Sequence, residues 1–249
     1  MSASDATRFL YLPDSHGTYA DPEAVSCALR FGRLHKPQIV ILGGDHVDFY
    51  QLSSFDKNPE RLQGLQDDID AGATFVRQVR HSFKDARIFY LQGNHEDRMR
   101  RFIWAKAPIL QSLKSFNLPT LLHLGDHAVK YVEDGVLQIR RLTFKHGNAV
   151  RQRSGDTAHA EMGREGTSGV SGHTHRISEV SKTDRSGTYK WVESGCLCSL
   201  RPEYMPGQVP NWQSGLSYGA FAGGSDRFTL STAHIIKGKT MYGDKVVTA

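Results

Sequence analysis

The chain has few cysteines, no long apolar run and no repetitive segment, and each lack removes a class of protein. Cys27, Cys196 and Cys198 are the only cysteines in 249 residues. An odd count of three builds no disulfide framework, so a reducing, cytoplasmic compartment is expected. No apolar run approaches the roughly 18 residues of a membrane-spanning helix, and no membrane association is expected. Met1–Arg8 is polar and lacks the basic-then-apolar pattern of a secretory signal. No low-complexity linker divides the chain, so a single domain over residues 1–249 is expected. The net charge is +5, from 31 Lys and Arg against 26 Asp and Glu. That balance permits an anionic partner without requiring one.

What is present is a globular composition, 39% hydrophobic and 23% charged, with 24 glycines. The first half alternates strands and helices. Strands are expected at Arg8–Leu12, Gln38–Leu42 and Arg87–Leu91, and helices at Pro22–Leu34, Arg61–Phe83 and from the third strand to about Phe116. Leu62, Leu65, Ile69, Ala73, Val76 and Val79 recur at helical steps and mark one apolar face. The second half is richer in short strands: Leu137–Arg140, Leu142–Lys145, Ile177–Ser181, Tyr189–Val192, Phe228–His234 and Lys239–Tyr242, with one helix near Thr157–Glu165. A βα half facing a β-rich half implies an α/β fold of two abutting sheets flanked by helices. Residues 202–249 are expected to complete the second sheet and shape the cleft.

The chemistry sits at the strand ends. Arg8–Leu12 runs into Asp14-Ser15-His16-Gly17, and Gln38–Leu42 into Gly43-Gly44-Asp45-His46-Val47-Asp48. Arg87–Leu91 runs into Gln92-Gly93-Asn94-His95-Glu96, Leu142–Lys145 into His146-Gly147-Asn148, and Val170-Ser171 into Gly172-His173-Thr174-His175. Ligands of open α/β sheets bind outside the carboxyl ends of strands, so these five loops should converge on one rim. One D-x-H or G-x-H-x-H alone is mostly chance; five in order, each at a strand end, are not. Asp14, His16, Asp45, Asn94, His146, His173 and His175 form a thiolate-free set suited to Mn²⁺, Fe or Zn²⁺. Seven ligands are too many for one tetrahedral ion, which implies two metals sharing a carboxylate.

The ordered set D-x-H, G-D-x-x-D, G-N-H-E, H-G and G-H-x-H, spanning Asp14 to His175, resembles the calcineurin-like metallophosphoesterase superfamily. The resemblance implies a four-layer α/β/β/α sandwich with a dinuclear site. It implies that Asp14, His16, Asp45 and His175 hold one metal. Asp45, Asn94, His146 and His173 would hold the other, with Asp45 bridging. It implies two divalent cofactor ions, manganese first, with Fe, Zn, Ni or Mg as the other candidates. His95 matches the family's catalytic histidine, which is not a ligand, and Asp48 the carboxylate that orients it.

Within that family the serine/threonine phosphoprotein phosphatases carry Arg-Gly after the second aspartate of G-D-x-x-D, where this chain has Phe49-Tyr50. The absent arginine is a phosphate clamp, whereas the complete Gly172-His173-Thr174-His175 is closer to nuclease and phosphodiesterase branches. The expected activity is therefore hydrolysis of phosphodiesters, with DNA, RNA or nucleotides as substrate. A phosphomonoesterase is the alternative. A non-catalytic scaffold of the same fold would have lost ligand positions, and here every one is filled. Arg98, Arg151 and Arg176 follow three of the loops and could grip a phosphodiester backbone, although basic residues there also suit ordinary solvated faces. Tyr204, Trp212, Tyr218 and Phe221 could stack bases. Cys196 and Cys198 are read as core residues on one face of a strand, and Asp67, Asp68 and Asp70 as a solvated helix face. His46, flanked by two site aspartates, is given no ligand role.

Overall fold

The computed structural model of the chain describes residues 6–58, 61–203 and 207–249. Tyr204 of the expected aromatic group lies outside them. The chain opens with β1 (Thr7–Leu12), α1 (Pro22–His35), β2 (Ile39–Leu42), α2 (Leu65–Ser82), β3 (Arg87–Leu91) and α3 (Glu96–Lys106). α1 begins where Asp21 accepts hydrogen bonds from the amides of Glu23 (2.9 Å) and Ala24 (3.2 Å), with Pro22 at the first helical position. α2 starts at Leu65 rather than Arg61. Asp67 accepts from the Gly64 amide at 2.7 Å and caps the helix there, while Leu62, counted in the apolar period, is 93% exposed. α3 stops at Lys106, short of the expected Phe116. Pro108 follows, and the residue before a proline is disfavoured in helical conformation; single-turn 3₁₀ segments take over.

A short α4 (Leu118–Leu121) leads to β4 (Val129–Val132), β5 (Val136–Ile139) and β6 (Leu142–Lys145). Then come α5 (Asp156–Glu165), β7 (Ser168–Ser171), β8 (Ile177–Asp184), β9 (Gly187–Ser194), β10 (Gly215–Phe221) and β11 (Phe228–His234). The hairpin β12 (Lys239–Tyr242) and β13 (Lys245–Thr248) ends the chain. The first sheet has the order β11-β10-β1-β2-β3-β4 and the second β5-β6-β7-β9-β8. Both are mixed: β1 to β4 run parallel and β10 antiparallel to β1, while β6, β7 and β9 run parallel between antiparallel edges. This corrects one expectation. Residues 215–234 do not complete the second sheet; β10 pairs with β1 and extends the first. Alternating apolar and small polar residues in Gly215–Phe221 carry a strand signal, but nothing local specifies its partner.

Strand alternation sorts the core into layers. Phe9, Tyr11, Ile39, Ile41 and Leu91 face Leu142, Phe144, Val170 and Val192 of the second sheet. Leu10, Leu12, Val40, Leu42, Ile88 and Tyr90 face α1 to α3 on the other side. Trp191, on the outer face of the second sheet, packs against Ala158 and Met162 of α5. Helices, sheet, sheet and helix make four layers, as expected. No helix among the described residues is long and apolar enough to cross a membrane.

His35 locks α1 onto the first sheet. Its Nε2 lies 3.1 Å from the Phe9 carbonyl and 3.2 Å from that of Gly219, and Nδ1 lies 3.2 Å from the Tyr242 hydroxyl. A neutral ring donating from Nε2 and accepting at Nδ1 satisfies all three. Burial holds its pKa below the usual value against the pull of those carbonyls. A lowered pKa in a base means that the unfolded chain takes up a proton that the folded chain refuses, so stability falls as pH drops below about 6.5. Urea unfolding of the metal-free protein between about pH 5 and 7.5 should show this slope, and His35→Gln should make it shallower. An identical slope in the variant would refute the assignment.

Candidate metal centre

Asp14 and His16 follow β1, Asp45 and Asp48 follow β2, and Asn94 and His95 follow β3, all from the first sheet. His146 follows β6, and His173 and His175 follow β7, from the second. The rim is thus the line where carboxyl ends of two packed sheets meet. Backbone bonds stitch the loops together. The His16 amide donates to the Asp45 carbonyl at 2.8 Å, Gly17 to His46 at 3.1 Å, and Gly172 to His146 at 2.9 Å. His16, Asp45, His173 and His175 all have φ between 52° and 67°, a region that costs non-glycine residues on the order of 1–3 kcal/mol each. The loops hold those residues there because the turn aims their side chains at one point. Glycine makes room for the carboxylates: a Cβ on Gly172 would overlap Asp14 Oδ2, and one on Gly93 would overlap Asp45 Oδ1.

The seven candidate ligands come together in two adjoining clusters. In one, His146 Nε2 lies 3.0 Å from Asn94 Oδ1, 3.1 Å from His173 Nδ1 and 3.2 Å from Asp45 Oδ2. In the other, His16 Nε2 lies 3.0 Å from His175 Nε2 and 3.9 Å from Asp45 Oδ2, while Asp14 Oδ1 lies 3.9 Å from His175 Nε2. Asp45 Oδ2 belongs to both. Asp14, His16, Asp45, His146 and His175 are each at most 6% exposed.

Acceptors beside two of the imidazoles fix where their hydrogens sit. His146 Nδ1 faces the Gly43 carbonyl at 3.0 Å, and a carbonyl only accepts, so that nitrogen carries the hydrogen. In a neutral ring Nε2 is then a lone pair, and it points at two more oxygens and another imidazole nitrogen. His16 repeats the pattern, with Nδ1 donating to Asp48 Oδ1 at 3.2 Å and Nε2 facing His175. Converging lone pairs need a positive centre. Without a metal, protons supply it. Burial opposes charge on His146, yet the Asp45 charge and hydrogen bond, with Asp14 and Glu96, raise it to about 10. Burial is likewise outweighed at His16 by the Asp48 hydrogen bond and the Asp45, Asp48 and Asp14 charges, which raise it to about 9. His173 is pushed down to about 4 by burial and the His146 charge. Burial and the His16 charge lower His175 as well. Burial raises Asp14 to about 7 against the pull of His146. Such a donor set fits divalent cations, with the second imidazole nitrogens of His146 and His16 held by a carbonyl and a carboxylate.

His95 adjoins the clusters and forms a third close group with His16 and Asp45. Its Nδ1 lies 2.8 Å from the Asp48 carbonyl and 2.9 Å from Asp48 Oδ1, and its Nε2 lies 3.7 Å from Asp45 Oδ2. Its amide donates to Asp45 Oδ1 at 2.9 Å. Burial works to raise the Asp48 carboxyl, but hydrogen bonds from His16 and His95 hold it well below the usual range. Of the three candidate substrate arginines, Arg98 reaches the site, with Nη2 3.0 Å from His95 Nε2 and Nη1 donating to the Asp48 carbonyl at 2.8 Å. Arg176 Nη1 donates to the Arg151 and Gln152 carbonyls instead, and Arg151 is exposed on that loop.

Several supporting residues were not legible in the sequence. Asp68 is fully buried, not solvated. Its Oδ2 accepts from the amides of Asp48 (2.9 Å) and Phe49 (2.5 Å), and Oδ1 from Thr18 (3.3 Å). Its signal was the step Leu65, Asp68, Gly72, Phe75, Val79, which places it inside the apolar stripe; Asp67 and Asp70 lie outside the buried set. Glu96 accepts from the amides of Asp45, His46 and Gly93 and from the Tyr90 hydroxyl. Glu193 accepts from Thr174, between the two histidines, and from Ser178. Cys196 and Cys198 are buried as expected, but in an irregular segment after β9 rather than in a strand. Cys198 Sγ is 3.9 Å from His175 Nδ1. His46 turns away from the clusters, stacking on Phe75 at 4.6 Å.

Two packed mixed sheets with helices outside and buried Asp and His clusters at their common rim define a metal-dependent phosphoesterase architecture. Residues 7–195 match the family model of the calcineurin-like phosphoesterases, and the chain belongs to that family. It is 26% identical over 220 residues to the Gene 54 protein of Mycobacterium phage D29, covering 84% of this chain and 86% of that protein. The Gene 54 protein of Mycobacterium phage L5 is 27% identical over 223 residues, covering 84% and 87%. Among solved structures, Chaetomium thermophilum Vps29 aligns over 98% of both chains at 12% identity with a TM-score of 0.47. Yfce, a phosphoesterase from E. coli, aligns over 90% of this chain and 98% of its own at 15% identity with a TM-score of 0.40.

Two outcomes check this geometry. In the metal-free protein His16 and His146 carry protons below about 9 and 10, and an incoming cation must displace them. Manganese affinity, measured calorimetrically, should therefore climb from pH 6 toward about 9, with proton release seen in buffers of different ionisation enthalpy; a flat profile would contradict it. Asp68→Ala strands three backbone amides and should lower stability by at least about 1–3 kcal/mol in urea unfolding, whereas Asp70→Ala should leave it nearly unchanged.

Proposed function

We propose that the protein is a two-metal phosphodiesterase acting on nucleotides or nucleic acid. Asp14, His16, Asp45 and His175 would hold one cation, and Asp45, Asn94, His146 and His173 the other, with manganese the first candidate. Two divalent cations so placed supply Lewis-acid stabilisation of phosphoryl oxygens and water activation near neutral pH. The chain's own residues supply the rest. Asp48 fixes the His95 tautomer by taking its Nδ1 hydrogen, which leaves Nε2 a lone pair that accepts from Arg98 Nη2 at 3.0 Å. Nε2 would serve the leaving oxygen as acid once it is protonated and Arg98 has turned to the substrate. Arg98, at that nitrogen, offers its guanidinium to a phosphoryl oxygen.

The observation that carries the diester reading is the set of cations around Asp48 and His95. The residue after Asp48 is Phe49, fully buried, and the Arg61 side chain is only 3% exposed. Arg98 is then the guanidinium that reaches His95 among the described residues, which suits a singly charged diester better than a monoester of nearly two charges. Beside Asn94 and His146 lies a cleft of about 870 Å³ whose charged lining is mixed, Arg100, Arg101 and Lys145 against Asp97, Glu133 and Asp134, and it is roomy enough for a nucleotide. Arg100 and Arg101 are paired with Asp97. That pairing favours nucleotides or a short single-stranded stretch over a long duplex, because duplex grip needs many unpaired cations.

With Mn²⁺, bis-p-nitrophenyl phosphate should be hydrolysed faster than p-nitrophenyl phosphate, and EDTA should abolish both; a strong monoester preference would defeat the diester reading. A panel of cyclic nucleotides, single- and double-stranded DNA, RNA and phosphopeptides then ranks substrates. His95→Ala should retain wild-type metal content and lose about 10²–10⁴-fold in turnover, whereas Asp45→Ala should lose both metals. A scaffold without chemistry would bind less than one metal equivalent and show no turnover.

A further inference from the structure

Arg61 is an arginine with an unusual setting. It precedes the first turn of α2 on an irregular segment, yet its side chain is 3% exposed. The guanidinium lies between two aromatic rings, 4.4 Å from the Tyr19 centroid and 4.3 Å from that of Tyr50. Nη1 donates to the Tyr19 hydroxyl at 2.7 Å and Nη2 to Thr18 Oγ1 at 3.1 Å. Nε is buried with no hydrogen-bond partner among the described residues. A desolvated cation with an unspent donor needs an electrostatic reason to be there, and among the described residues the carboxylate within ion-pair reach is that of Asp48, whose Oδ2 is 4.0 Å from Nη1.

The other groups facing Asp48 crowd its second oxygen. His95 Nδ1 (2.9 Å), His16 Nδ1 (3.2 Å) and Arg98 Nη1 (3.9 Å) all address Oδ1, and Asp68 holds only the Asp48 backbone amide. A carboxylate torsion is broad and two-fold, so an oxygen shared by two imidazoles can swing onto either one. A charge on Oδ2 fixes that torsion.

We propose that Arg61 is a positioning residue: its guanidinium, gripped by Tyr19 and Tyr50, holds the Asp48 carboxylate so that Oδ1 stays on His95. Its burial separates it from a substrate clamp, because it acts through Asp48. This inference rests on the proposed role of His95, and the test reads it both with and without turnover.

Arg61→Met, which keeps the stem and removes the charge, should cut kcat about 10–100-fold, the usual range for a residue supporting another. KM and metal content should stay at wild-type values, and Arg61→Lys should recover part of the loss. Independently, long-range ¹H–¹⁵N spectra of the metal-free protein should show the His95 imidazole signals moving in Arg61→Met and staying in place in Lys57→Ala. A rise in KM with kcat preserved would make Arg61 a substrate contact and overturn the proposal. Lower melting temperature with unmoved His95 signals would reduce it to a loop staple and also overturn it. Should the wild-type protein hydrolyse no phosphoester, the functional reading fails, yet the spectra still decide the Arg61–Asp48–His95 arrangement.

Discussion

Everything at the rim follows from electron pairs of buried donors that have nowhere to go but toward each other. His146 and His16 each spend one nitrogen on an acceptor, the Gly43 carbonyl and the Asp48 carboxylate, and their remaining nitrogens meet Asn94, Asp45, His173 and His175 at distances near 3 Å. Asp14, His16, Asp45, His146 and His175 are buried, while Asn94 and His173 face the cleft, and for the buried donors a proton or a metal ion reconciles the converging lone pairs. The left-handed backbone at four ligands and the glycines beside two carboxylates are geometric consequences of gathering that many donors at one point.

A second tier of carboxylates makes the first tier possible. Asp68, Glu96 and Glu193 each take hydrogen bonds from the loops that carry the ligands, and none of them touches the clusters through its own oxygens. Asp68 and Glu96 satisfy amides that tight strand-to-loop turns leave without partners, and Glu193 takes the Thr174 hydroxyl between the two histidines. Loops with such obligations met are rigid, and rigid loops keep ligands placed before any ion arrives.

Much of this was legible beforehand because site and fold share one signal. An apolar strand that stops at Asp, Asn or His beside glycine announces both a sheet and a functional edge, and Asp14, Asp45, Asn94, His146 and His173 all declare themselves that way. What escaped was long-range. Asp68 reads as one more acid on an amphipathic helix until its partner loop is known. Arg61 lies in a stretch whose leucines continue a helical period that Gly64 and Asp67 in fact interrupt. β10 looks like any short strand, and only the vacant edge of β1 decides which sheet it joins.

The placement of β1 carries a temporal consequence. The strand that delivers Asp14 and His16 is flanked on one side by β2, made at once, and on the other by β10, whose Phe221 lies opposite Thr7 across nearly the whole chain. Such distant pairings close slowly. A ribosome releasing this protein from its amino end therefore exposes one flank of β1 until β10 has emerged. The nascent chain, with that edge open to other strands, is at its most vulnerable to mispairing before the tenth strand docks.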